Sequence, residues 1–179
     1  MINIYIGYDS SNYGQELAFE VCKRSIEART KNINIYKLDR KVLKDNKIYL
    51  RQKEDGSTEF TYTRFLVPLL NRYKDFAIFC DSDFLWRCDL SELSKYFDKN
   101  MAVACVKHEY QKCLSDKKMD GLKQEWYPCK NWSSLMIFNC EHPDCKNLNI
   151  NSVAFQTPKW LHRMEWTNES KINTIDKTF

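Results

Sequence analysis

The stretch FAIFCDSDFLWRCDL, residues 76–90, places two carboxylates directly after a run of apolar residues. The run at 76–80 has the length and composition of a buried strand, and apolar residues resume at Phe84. Asp81 and Asp83 repel each other, and their apolar flanks strengthen that repulsion by lowering the local dielectric. We therefore expect a cation beside them, since Mg²⁺ and Mn²⁺ take carboxylate oxygens together with substrate phosphates.

Strand-like and helix-like segments alternate around this stretch, which predicts a single α/β domain over residues 1–179 with a mostly parallel sheet. Pro68 limits the regularity of the second helix, and the charged residues 39–59 are expected to form a loop. Asp89 is an expected N-cap. The predicted strands are 2–7, 33–38, 76–80, 101–106 and 133–140, and the predicted helices are 13–29, 60–73 and a third that begins after Asp89.

The charge balance gives no argument for a nucleic-acid partner, and we expect none. The chain has 28 basic and 24 acidic residues, for a net charge of +4, which is compatible with a pocket for an anionic small molecule. No segment approaches the roughly 20 apolar residues of a membrane span, and the N-terminus lacks the features of a secretory signal. We expect a cytoplasmic protein.

The eight cysteines lie mostly in predicted strands, where reduced cysteine behaves as a small hydrophobic residue. The alternative is a zinc site made by Cys129, Cys140, His142 and Cys145. Their spacing matches no common zinc pattern, so reduced core cysteines are the preferred interpretation.

Two groups of polar residues follow predicted strands: residues 7–9 after the first and 81–83 after the third. In an α/β sheet, ligands bind beyond the carboxyl ends of the strands. The sequence contains neither G-x-G-x-x-G nor a P-loop, so the phosphates of a bound nucleotide need another source of positive charge. A divalent cation on the two aspartates would supply it.

Four blocks, in this order, resemble GT-A-fold glycosyltransferases: IYIGYDSSNYGQELAFEVCKRSI, YTRFLVPLL, FAIFCDSDFLWRCDLSEL and KNWSSLMIFNC. The likeness is to the glycogenin-like group and its uncharacterised bacterial and viral relatives, and it extends from Ile2 to about Trp166. It implies a GT-A fold, shortened at the C-terminus, with helices flanking the sheet. The implied function is metal-dependent transfer of a sugar from a nucleotide-diphospho-sugar, expected to be a UDP-sugar, to an unknown acceptor.

The resemblance also implies roles for individual residues. Asp81 and Asp83 match the D-x-D motif that binds Mn²⁺ or Mg²⁺, and Ser82 matches a position near the ribose. Asp83, Arg64 and Asn131 are the implied catalytic residues. The other implied donor-site positions are Gly7, Tyr8 and Asp9 in the loop after the first strand, Arg64 again in YTRF, and Ser133 beside Asn131 in KNWSS.

Structural roles are the alternatives for these residues. Asp81 and Asp83 are also suited to a turn in which Asp83 is a cap, and Asp9 to capping the next helix. Arg64 is also suited to pairing with Asp81 or Asp83, and Asn131 and Ser133 to shaping the turn before a strand. In the family a later histidine often completes the metal site. His162 and Asp176 stand near the end of this sequence, and no motif assigns either of them to that role.

Two other functions remain open. A sugar nucleotidyltransferase shares the sheet and the metal carboxylates, but it usually has a glycine-rich N-terminal loop that this sequence lacks. The other is a non-catalytic domain that binds a nucleotide or a partner. A homo-oligomer is compatible with either, and with the glycosyltransferase.

Overall fold

The computed structural model describes residues 1–11, 13–53, 56–109 and 129–176, with the backbone alone at 108–109 and 129–131. Its strands form one sheet in the order β2-β1-β3-β5-β4-β6. β5 runs antiparallel to both of its neighbours and the other pairs are parallel, so the mostly parallel sheet is confirmed. The strands are β1 (Ile2–Tyr8), β2 (Ile33–Asp39), β3 (Phe76–Cys80), β4 (Val103–Glu109), β5 (Cys129–Asn139) and β6 (Ile172–Thr174).

Helices cover both faces of the sheet, as expected for an α/β domain. Within the described residues, none of them is both long and apolar enough to cross a bilayer. The α-helices are α1 (Gln15–Glu27), α2 (Arg40–Asp45), α3 (Phe60–Thr63), α4 (Val67–Leu70), α5 (Ile150–Phe155) and α6 (Pro158–His162). The 3₁₀ helices are Arg64–Leu66, Leu90–Tyr96, Pro143–Asn147 and Glu169–Lys171.

Alternation along the central strands divides the core into two layers. Tyr5 and Phe79 face the layer that contains α3 to α6, whereas Ile4 and Ile78 face the layer that contains α1 and the 3₁₀ helix Leu90–Tyr96. Successive side chains of a strand point to opposite faces. The same alternation sets the direction of the polar residues that follow β3.

Three local predictions differ from the structure. The segment after β2 begins with a helix, α2, because Asp39 caps it by accepting hydrogen bonds from the N–H groups of Lys41 and Val42. The predicted helix at 60–73 is α3, a 3₁₀ turn and α4 in succession, with Pro68 near the start of α4. The helix after Asp89 is a 3₁₀ helix.

Candidate active site

The candidate site lies where β1 and β3 end at the same edge of the sheet, as predicted for the carboxyl ends of parallel strands. Phe79 and Asp81 are two residues apart, so the strand period directs the Asp81 side chain towards the layer that contains α3. Ser82 points to the opposite layer, where its hydroxyl donates a 2.6 Å hydrogen bond to Gln15 of α1. Ser82 therefore ties the D-x-D loop to α1.

Buried Arg64 and partly buried Asp81 form an ion pair at this edge. Nη1 of Arg64 lies 3.2 Å from Oδ1 of Asp81, and the two side chains are 7% and 20% exposed. The pair confirms that Arg64 contacts Asp81, the structural alternative for this arginine. Among the residues that the structure describes, none directs a hydrogen at Oδ1, so this buried oxygen has a nearby positive charge but no hydrogen-bond donor there. The main-chain N–H of Asp81 donates to the carbonyl of Ser134 on β5.

Arg64 is fixed by neutral acceptors rather than by Asp81. Its Nε donates to the carbonyl of Phe60, and its Nη1 donates to the carbonyl (2.6 Å) and hydroxyl (3.2 Å) of Ser133. The guanidinium also stacks near the ring of Phe79, 4.8 Å from its centre. In the described part of the chain, Nη2 has no hydrogen-bond acceptor, so its two N–H groups are available to a ligand.

Burial controls the protonation of this pair. Burial raises the pKa of Asp81 to about 6, against the lowering effect of Arg64, and the charge of Asp83 raises it further. Burial also lowers the pKa of Arg64, although both aspartates oppose that change. Desolvation thus outweighs the attraction between the two partners. Asp83 is exposed to solvent, where its carboxylate can meet a ligand.

Two acidic residues, Asp9 and Glu59, hold the loop after β1 in place. Both oxygens of Asp9 are occupied: Oδ1 accepts hydrogen bonds from the N–H and hydroxyl of Ser11, and Oδ2 accepts from the N–H of Glu59. Burial alone would raise the pKa of Asp9, but these hydrogen bonds and the charge of Arg40 lower it overall. Asp9 therefore organises the loop with its own carboxylate.

Glu59 connects this loop to two helices. Its Oε2 accepts from the N–H and hydroxyl of Ser10, and its Oε1 lies 2.6 Å from Nη2 of Arg40 in α2. Glu59 directly precedes α3, so the network joins β1, α2 and α3. The partners of Glu59 are distant in sequence, so this network was not predicted. The only signal in the sequence is an acidic residue placed directly before a helical segment.

Gly7 and Tyr8 have packing roles at the end of β1. A Cβ at position 7 would lie 2.7 Å from the ring of Phe60, so only glycine fits there. The neighbouring Glu16 carboxylate raises the pKa of Tyr8. Nζ of Lys37 lies 4.3 Å from the centre of the Tyr8 ring and 2.9 Å from Glu16. The three residues form a small charged cluster on the surface.

An irregularity in β5 coincides with the main-chain carbonyls that contact Arg64 and Asp81. Met136 pairs with Cys105 of β4, but Trp132 pairs with Val106, so residues 133–135 have no β4 partner. Such bulges redirect groups near functional sites. The structure thus brings Ser133 to Arg64, as already described. Asn131 pairs with Lys107, and its side chain lies outside the described residues.

His162, at the end of α6, is the neighbour that the sequence could not place. Its Nδ1 lies 3.2 Å from the hydroxyl of Ser133. Its ring stands edge-on to Phe65, with the ring centres 5.1 Å apart. The order Asp81, Arg64, Ser133, His162 is therefore a continuous row of polar contacts along the site.

An open groove of about 310 Å³ borders Asp83 between α1 and the loop after β3. Its apolar walls include exposed Leu17 and Leu85. Its lining residues are Gly14, Leu17, Ala18, Val21, Ser82, Asp83, Phe84 and Leu85.

The described cysteines are free thiols, as the sequence predicted. Cys140 and Cys145 donate to the main-chain carbonyls of Phe138 and Ala102, and burial raises the pKa of both thiols. Among the described residues, no three His, Cys, Asp or Glu side chains form a metal-binding group. The side chain of Cys129 lies outside them.

The chain is similar in sequence to a curated protein and in fold to solved glycosyltransferase structures. No family model matches the chain. Protein CDI of Arabidopsis thaliana is 38% identical over 174 residues, which is 96% of this chain and 66% of that protein, so the chain spans just under two thirds of its relative.

Two solved glycosyltransferase structures superpose on nearly the whole chain. The bifunctional glycosyltransferase WbbM gives a TM-score of 0.62 at 17% identity, over 97% of this chain and 38% of WbbM. The galactosyltransferase LgtC, in complex with donor and acceptor sugar analogues, gives 0.59 at 13% identity, over 99% and 74%. The chain has a GT-A glycosyltransferase-like fold, which confirms the resemblance at the level of the fold.

Proposed function

We propose that the chain is a metal-dependent glycosyltransferase that uses a nucleotide-diphospho-sugar, with a UDP-sugar as the expected donor. Asp81 and Asp83 would hold Mn²⁺ or Mg²⁺, and Arg64 would bind the donor diphosphate. The observation that carries the proposal is the buried Oδ1 of Asp81, which lacks a hydrogen-bond donor at the ligand-binding edge of a GT-A fold. A buried carboxylate oxygen that faces a positive charge but accepts no hydrogen bond is costly to keep unless a ligand uses it.

The two aspartates fit a hard divalent cation. Asp81 is partly buried and has an oxygen without a hydrogen-bond donor, whereas Asp83 is exposed, so the two carboxylates would each offer an oxygen ligand. No third candidate ligand joins them among the described residues. Mg²⁺ typically binds through one or two carboxylates and completes its shell with water and substrate phosphates, which matches this donor set.

The chain's own residues supply positioning and positive charge. A bound cation would stabilise, as a Lewis acid, the charge that develops on the departing nucleoside diphosphate. Arg64 would donate its two Nη2 hydrogens to a phosphate oxygen while Phe60 and Ser133 hold the rest of the guanidinium in place. Because these contacts exist before a ligand binds, little reorganisation is needed during transfer.

Asp9 supports the donor site in a different way from the one that the resemblance implies. Its carboxylate already accepts three hydrogen bonds from Ser11 and Glu59, so its proposed role is to fix the loop after β1. Contacts to the base or ribose would then come from other groups of that loop. Asn131 and Lys107, paired between β4 and β5, are proposed to border the acceptor side.

Calorimetric titration of UDP into metal-free protein, with and without Mn²⁺, tests the proposal. We expect binding only with Mn²⁺, lost in Asp83→Asn and retained in Asp89→Asn. Asp89 is a suitable control because it is an acidic residue of the same stretch that caps a helix, and asparagine caps equally well. UDP affinity that is the same with and without Mn²⁺, or unchanged in Asp83→Asn, would contradict the proposal.

Turnover requires a second measurement. We expect slow release of UDP from UDP-sugars in the presence of Mn²⁺, with water accepting the sugar in place of the unknown acceptor. Asp81→Asn should abolish that release. GDP and ADP, titrated in the same way as UDP, identify the base, and the sugar that releases UDP fastest identifies the donor to use in an acceptor screen.

A further inference from the structure

We propose that His162 is a positioning residue: through Ser133 it fixes the guanidinium of Arg64 in the orientation that receives the donor diphosphate. The diphosphate part of this inference rests on the proposed function. The positioning part rests on contacts that exist in the chain without any ligand.

The Ser133 hydroxyl links the two side chains. It lies 3.2 Å from Nδ1 of His162 and 3.2 Å from Nη1 of Arg64. Arg64 has no acceptor atoms, so the hydroxyl must accept from it, which leaves the hydroxyl hydrogen for Nδ1. In the tautomer that we propose, Nδ1 is unprotonated and accepts that hydrogen. The imidazole then fixes the rotation of the hydroxyl and, with it, one of the acceptors that hold Nη1.

The ring of His162 is well supported for this role. It packs edge-on against Phe65 and lies 6.0 Å from the ring of Tyr62, between ring centres. Both aromatic residues belong to the helical segment that also carries Arg64. Leu161, the preceding residue, is fully buried in the same core layer. The histidine and the arginine are therefore supported by one packed unit, as positioned functional groups require.

The competing explanation is that His162 binds the metal directly. The two explanations use different nitrogens of its ring and can therefore be distinguished. The structure uses Nδ1 for Ser133, so a metal ligand would use Nε2. The amide of asparagine occupies a position close to that of Nδ1, whereas the longer side chain of glutamine brings its amide close to Nε2. His162→Asn should therefore preserve positioning and His162→Gln should not, while the opposite order is expected of a metal ligand.

The first test needs no ligand. The Nε–H signal of Arg64 in a nitrogen–proton NMR spectrum, assigned by its loss in Arg64→Lys, reports the geometry of the guanidinium. We expect it to shift or broaden in His162→Ala and His162→Gln and to stay near its original position in His162→Asn. His142→Ala is the control, because His142 accepts from the N–H of Asp144 in a separate helix. A signal unmoved by His162→Ala overturns the positioning role.

The second test measures UDP affinity at saturating Mn²⁺. We expect His162→Ala to weaken UDP binding about tenfold, within the range seen when residues behind a site are removed, and His162→Asn to restore most of it. In the Ser133→Ala background, His162→Ala should have little further effect, since the link is already broken. An undiminished loss in that background, or rescue by glutamine instead of asparagine, rejects the inference. If the original chain binds no UDP, the proposed function fails and the NMR test still decides the positioning role.

Discussion

Replacing Asp81 by asparagine should stabilise the metal-free protein at neutral pH, although it removes a residue of the candidate site. The carboxyl has a pKa raised from 3.8 to about 6, chiefly by burial. Each unit by which the pKa rises corresponds to about 1.4 kcal/mol, so ionised Asp81 lowers the free energy of unfolding by about 3 kcal/mol above pH 6. Asparagine has nearly the same shape and carries no charge, and it therefore avoids this cost.

The pH dependence gives the sign of the effect. Between pH 3.8 and about 6 the folded chain binds a proton that the unfolded chain has released. The free energy of unfolding of the original protein consequently decreases as the pH rises through this window, whereas Asp81→Asn lacks that decrease. The difference between the two proteins should grow from near zero at pH 4 to about 3 kcal/mol at pH 7.5.

Urea unfolding in the presence of a chelator, at several pH values from 4 to 8, measures this difference. Asp83→Asn serves as the control because Asp83 is exposed, and it should change the free energy of unfolding by less than about 0.5 kcal/mol. If Asp81→Asn is less stable than the original chain at pH 7.5, attraction to Arg64 outweighs desolvation. The account of a costly carboxylate would then be wrong.

Two further substitutions test the loop after β1. Gly7→Ala should lower the free energy of unfolding by about 1–3 kcal/mol, because its Cβ overlaps the ring of Phe60; urea unfolding measures the loss, and adding Phe60→Leu should recover part of it, whereas no recovery would argue against the clash. Glu59→Gln should cost about 2 kcal/mol in the same assay, since it removes the charge that Arg40 contacts at 2.6 Å. Combined with Arg40→Met it should cost little beyond that second change alone, and full additivity would show that the ion pair contributes nothing.

Five of the six strands were predictable because their apolar runs are short, rich in residues that favour strands, and bounded by polar segments; β6 (Ile172–Thr174) was missed because it has only three residues. The position of Asp81 followed from the same pattern, since a carboxylate directly after a buried strand must lie at the sheet edge. The ion pair with Arg64 was foreseen as one of two alternatives for that arginine. The sequence alone could not decide between an ion pair and a donor-site role for Arg64. That choice depends on how deeply Arg64 and Asp81 are buried, which only the packed structure shows.

The parts that escaped prediction depend on contacts between distant residues. α2 carries one buried residue, Leu43, and begins at the cap made by Asp39, so it lacks the apolar periodicity that identifies a helix. Glu59 meets Ser10 across 49 positions, and His162 meets Ser133 across 29. Residues so far apart in sequence become neighbours only after the sheet and its covering helices have assembled.

The irregular segment of β5 has a mechanical consequence for the charges beside it. Two adjacent carbonyls, those of Ser133 and Ser134, receive hydrogen bonds from Arg64 and from the main chain of Asp81. Both members of the ion pair therefore share one strand as their common frame, and a small displacement of that strand carries them together.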